Sequence, residues 1–135
     1  MYYNKNTFAA AGIPKTPQTW SDVNALGPLL IKRSDSSNII KAMIPFGEYT
    51  NVTNAKEILA TLFFQSGNTI TERGTNGAIY SILDNGGSQA IIAPDSVLDY
   101  YTSFANPVNP LYTWNRSMPT SQNAFLAGNL AIYFG

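Results

Sequence analysis

At 135 residues and 44% hydrophobic content, the chain is long enough for one domain with a modest core. Eight basic and eight acidic residues give a net charge of zero, and cysteine and histidine are both absent. These counts exclude disulfides, thiol and Ser-His-Asp catalysis, the common zinc sites, and electrostatic capture of nucleic acid or an anionic membrane.

Residues 1–3 read as a short strand, and residues 8–13 as one or two helical turns ended by Gly12. Pro14 and Pro17 make a stiff connector. Thr19 caps the next helix, with Asp22 three residues on accepting free backbone amides. Val23, Leu26, Leu29, Leu30 and Ile31 ride on that helix, and Gly27-Pro28 predicts a kink or break inside it. A polar turn over 34–38 leads to a buried strand over 39–46, then to the loop Gly47-Glu-Tyr-Thr-Asn51. Asn54 and Glu57 have the spacing of a capping box. Ala55, Ile58, Leu59, Leu62 and Phe63 define one apolar helical face, with Gly67 at the C-terminal cap.

Beyond it, 68–70 is short and extended, 74–77 is a turn and 78–83 reads as a strand. Asp84-Asn-Gly-Gly87 has two readings. It is a hairpin turn with 90–92 as the return strand, or, as preferred here, a loop into a helix with Pro94 at its first position. Asp95 then favours the positive end of the helix dipole. Val97, Leu98, Tyr101, Phe104 and Ala105 are expected to face inward, and Asn106-Pro-Val-Asn-Pro110 stops the helix. The last segment is a short helix from Ser121, stopped by Gly128, and an apolar strand over 130–134. Strands alternating with helices predict an α/β layered domain, a single one over 1–135. A chain whose final residues are a buried-type strand is expected to be a section of a longer protein. Its first residues are not a signal peptide, and no apolar run approaches the roughly 20 residues that span a bilayer.

Charged residues are only 12% of the chain, so its surface must be built from Asn, Ser, Thr, Gln, Tyr and Gly. Such a surface suits neutral, hydroxyl-rich ligands. The main candidate site is the loop holding Glu48, Tyr49 and Asn51, between a buried strand and a helix start, where open α/β sheets bind ligands. Tyr49 offers a flat face for stacking on sugar C–H groups; Glu48 and Asn51 offer planar polar groups for paired hydroxyls. The plainer reading is an exposed turn in which Asn51 serves only geometry. Trp114 is a further ligand-binding candidate, against the plainer reading of a core residue donating its N–H to a carbonyl. Trp20 reads as structural.

Asn51-Val-Thr53 and Asn115-Arg-Ser117 match the glycosylation acceptor pattern, which is common by chance. The turn at 74–77 lacks the Lys-Ser/Thr of a phosphate loop. Asp84, Asp95 and Asp99 are better explained by turns, caps and solvated helix faces than by a metal site or a glycosidase pair. No catalytic residue, metal or cofactor is expected.

Four segments in order resemble family 1 of the bacterial extracellular solute-binding proteins, the sugar-capturing subunits of ABC importers. Tyr2-Tyr-Asn-Lys-Asn-Thr-Phe8 is similar to the family's start after its first interlobe crossing. Ala11-Gly-Ile-Pro-Lys-Thr-Pro-Gln-Thr-Trp20 resembles its proline-linked helix start. The helix ending at Gly67 resembles the element behind the binding loop, and Phe125-Leu-Ala-Gly-Asn-Leu-Ala-Ile-Tyr133 resembles the closing motif. Asn129 stands where the family has a lysine-like residue.

The resemblance implies part of the second lobe of a two-lobed periplasmic-binding-protein type II fold that closes by hinge bending. It also implies a non-enzymatic protein with a small-molecule ligand, a saccharide, and an ABC permease as partner. Its location would be extracytoplasmic, as a periplasmic protein or an anchored lipoprotein. In the family the loop matching 48–51 carries a ligand-contacting aromatic. Exposed apolar cleft surface would promote self-association of the lobe alone. Two rival readings are a stand-alone carbohydrate-binding or adhesion module and a hydrolase using Glu48 with an aspartate.

Overall fold

A computed structural model describes residues 1–83 and 90–135. Its elements mix helices with short strands, an α/β composition, and divide into two units, residues 1–55 with 102–135 and residues 56–101.

The first unit is organised by the last strand. Leu130-Ala-Ile132 is an apolar run with 2% exposure or less at every residue, as expected of a strand covered on both faces. Strand β1 (Tyr2–Tyr3) pairs antiparallel with β6 (Ile132–Tyr133), Tyr3 opposite Ile132. On the other side, Ala42 bridges Leu130 in parallel. The N–H of Ala131 donates to Ala42 O and that of Ile132 to Met43 O, both at 2.9 Å. The segment 130–132 therefore lies between β1 and residues 42–43.

The strand expected over 39–46 divides in two. Strand β2 (Lys32–Arg33) pairs antiparallel with β3 (Ile39–Lys41), where Ile40 is 55% exposed. Only from Ala42, where the chain changes partner to Leu130, does it become buried through Phe46. Phe46 and Phe104, both fully enclosed, meet edge-to-face with ring centres 5.5 Å apart. Trp20 lies 5.6 Å from the Phe46 ring, which accords with its structural reading.

Four short helices frame this unit. In α1 (Lys5–Ala10), Asn4 caps the Thr7 amide. In α2 (Trp20–Ala25), Thr19 and Asp22 form the expected reciprocal capping box. The expected break follows: α3 (Gly27–Leu30) is separate, with Pro28 in its first turn, where a missing N–H costs nothing. The fourth, lettered α6 in chain order (Ser121–Leu126), ends where Gly128 adopts φ +73°. There Gly128 N donates to Phe125 O and Asn129 N to Ala124 O, the paired bonds of a Schellman stop. That stop delivers the chain straight into the central strand.

The second unit holds most of α4 (Ala55–Gln65), with Ile58, Leu62 and Phe63 buried and Leu59 half-buried. The helix ends at Gly67 with the same paired bonds, Gly67 N to Phe64 O and Asn68 N to Phe63 O. Its expected cap differs. Asn54 takes φ +61° rather than the extended backbone of a side-chain cap, and its amide donates to Phe134 O at 3.5 Å.

Strands β4 (Thr71–Arg73) and β5 (Ile79–Ser81) form an antiparallel hairpin across the expected turn, and every residue in both is exposed. Helix α5 (Pro94–Ser103) starts at Pro94 as expected. Val97 and Tyr101, four residues apart on one face, are buried, while Leu98 beside that face is 41% exposed, contrary to expectation. The ambiguous segment 84–87 lies outside the described residues. Residues 90–92 form no strand; the amides of Ile91 and Ile92 bond to Ser66 O instead.

Candidate functional site

The candidate loop begins where the buried run 42–46 ends. Gly47 has φ +95°, and a Cβ there would sit 2.5 Å from Ala105 Cβ and 2.6 Å from Ala105 N. Only glycine fits both the turn and the close approach. The chain is thereby turned out of the core into Glu48 and Tyr49.

The far end of the loop is locked. The Asn51 side chain donates to Asn115 O at 2.9 Å and to Met118 O at 3.0 Å, using both amide hydrogens. Its Oδ1 accepts the indole N–H of Trp114 at 3.1 Å. The Asn51 carbonyl accepts from Ser121 N at 2.8 Å, and Ser121 Oγ accepts from Thr53 N at 2.9 Å. Nearby, Thr113 Oγ1 accepts from Met43 N at 2.6 Å, tying the same segment to the buried strand run.

These bonds sort the predicted site residues. Trp114 is fully enclosed and Asn51 is 8% exposed. Both are framework: the indole meets no solvent, and the Asn51 amide is committed to holding 115–118. Their ligand-contact reading gives way to the plainer one, with the indole donating to a side-chain carbonyl rather than a backbone one. A buried, fully bonded Asn51 is also not an accessible glycosylation acceptor.

Tyr49 is 68% exposed. The Glu48 side chain is 15% exposed and accepts from Arg116 Nε at 3.2 Å. The structure thus brings Tyr49 to the surface, next to a largely covered Glu48 paired with Arg116, on a base built by Asn51 and Trp114. Chemically this is a stacking face beside a carboxylate on a restrained loop. Among the described residues no cluster of three or more acidic side chains could hold a metal ion, and Asp84 of the rival carboxylate group lies outside them.

A cleft of about 460 Å³ lies elsewhere in the first unit and includes none of the predicted residues. It is lined by Asn4, Asn6, Thr7, Leu30, Lys32 and Lys41, among others. Sequence reading missed it. Its signal was the polar turn over 34–38, which, read as a hairpin, sets Lys32 opposite Lys41. Comparison with protein-family models, with curated proteins and with solved structures finds no match for this chain.

Proposed function

We propose that the chain forms the bulk of the second lobe of an extracytoplasmic solute-binding protein. In this reading it captures a small neutral solute, a saccharide, and delivers it to an ABC importer without catalysis. The observation that carries the reading is Tyr49, 68% exposed on a loop whose far end is pinned by Asn51. A flat aromatic with only two rotatable side-chain bonds loses little entropy when a sugar ring stacks on it. The Glu48 carboxylate beside it is of the type that accepts hydroxyl hydrogens. The four ordered resemblances and the 12% charge content support the same class of ligand. A two-lobed receptor closes around its solute, so one lobe supplies only one wall of the site.

The test is calorimetric titration of the protein carrying both lobes with maltotriose, raffinose and sorbitol. Saturable heat with at least one of them is expected. Flat traces with all three contradict the saccharide reading.

A further inference from the structure

We propose that the cleft between α1, α3 and the β2–β3 ladder is a second binding site, for a small polyhydroxylated anion such as a sugar acid or sugar phosphate. It stands apart from the Glu48–Tyr49 loop and does not depend on the function proposed for that loop.

The first observation is charge. Lys32 and Lys41 are directly opposed in the antiparallel ladder, and both line the cleft. Like charges at opposed positions on a ladder destabilise it. Two of only eight basic residues are placed together here, and among the described residues no Asp or Glu lines the cleft. Lys41 Nζ donates to Gly128 O and Asn129 Oδ1, both at 2.8 Å. These acceptors orient the ammonium without neutralising it and, among the described residues, leave one N–H unused. Lys32 has no ion pair or side-chain hydrogen bond among the described residues. An anion seated between the two ammonium groups removes their repulsion and gains charge-assisted bonds.

The second observation is the rest of the lining. Asn6 and Thr7 present side-chain groups that bond to nothing else among the described residues. The Asn4 Oδ1 is occupied by the Thr7 amide, while its Nδ2 is not engaged among the described residues. These are donors and acceptors suited to hydroxyls. Leu29, 48% exposed, supplies an apolar contact for a ring face. A volume of about 460 Å³ falls within the range of small-molecule sites, roughly 300–1,000 Å³. Cations, hydroxyl partners and an apolar contact in one cleft describe an acidic sugar better than a bare ion or a neutral sugar.

The test is an amide-resolved NMR titration of the full chain with D-glucuronate, D-glucose 6-phosphate and D-glucose. Either anion should shift the amides of Asn6, Thr7, Lys32 and Gly128, and the tighter of the two identifies the head group. Lys32 is exposed, so Lys32→Gln should leave the unliganded spectrum otherwise unchanged and weaken anion binding roughly tenfold or more. Higher salt should weaken it too. Equal shifts with glucose, shifts unaffected by Lys32→Gln, or no shifts with either anion at millimolar concentration would overturn the proposal.

Discussion

The two units of the chain are held by different kinds of contact. In the first, residues far apart in sequence are interlocked: the Trp114 indole bonds to Asn51, 63 positions away, and Met43 N to Thr113, 70 away. The same unit holds fully enclosed side chains, among them Trp114, Phe46, Phe104, Leu130 and Ile132. In the second, the described structure is mostly local, a helix stopped by Gly67 and a hairpin exposed on both strands. A two-stranded hairpin without a covered face is marginal by itself. The difference teaches where a rigid base for ligand contact is available, and the Glu48–Tyr49 loop stands in the interlocked unit.

The largest effect is expected from Trp114→Ala. It empties a fully enclosed site and leaves Asn51 Oδ1 without its donor. The expected loss is about 3–5 kcal/mol, read as a fall in the urea midpoint of the chain. A loss below about 1 kcal/mol would break the contrast between the units, since ordinary surface positions cost less than that.

A middling effect is expected at the α2 cap. Thr19→Ala removes the acceptor of the Asp22 amide and should cost about 1 kcal/mol by the same denaturation. The cap also carries a pH signature. Backbone amides of Gln18 and then Thr19, with the Thr19 hydroxyl, hold the Asp22 carboxyl below its ordinary 3.8. A pKa depressed on folding stabilises above the unfolded value and loses that stabilisation as pH falls through the folded one. Stability from this group should therefore be complete above pH 3.8 and fade below it. Asp22→Asn should remove that share of the acid dependence, measured as the thermal midpoint from pH 5 downward; an unchanged acid profile would dismiss the cap as its source.

The smallest effect is expected in the hairpin. Ile79→Thr, at a position 64% exposed, should change stability by no more than about 0.5 kcal/mol. Hydrogen exchange sharpens the same contrast, with amides of Ala131 and Ile132 protected far longer than those of 71–81. Equal protection would show that the hairpin is not the marginal element described.

Features decided by neighbours in sequence were legible beforehand. The Gly67 and Gly128 stops, the Thr19–Asp22 box, the break at Gly27-Pro28 and the start at Pro94 all follow from backbone chemistry within a few residues. Features decided by distant partners were not. The run 39–46 looks like one strand because its apolar content is continuous, yet its ladder partner changes from β2 to Leu130 at Ala42. Asn51 and Trp114 have residue types that suit sugar contact, and only burial and bonds to distant residues, to each other and from Asn51 to Asn115 O and Met118 O, make them framework. Asn54 has a capping spacing, and its left-handed backbone removes it from that role. The pairing of Lys32 with Lys41 needed the register of the β2–β3 ladder.

The most direct test of the functional account is titration of Tyr49→Ala beside the unaltered protein in the proposed two-lobed form, using whichever of maltotriose, raffinose or sorbitol gives heat. Because Tyr49 is largely exposed, the variant should keep the thermal midpoint and weaken binding by about tenfold or more. Unchanged affinity in a folded Tyr49→Ala protein would contradict the assignment of this loop to the solute.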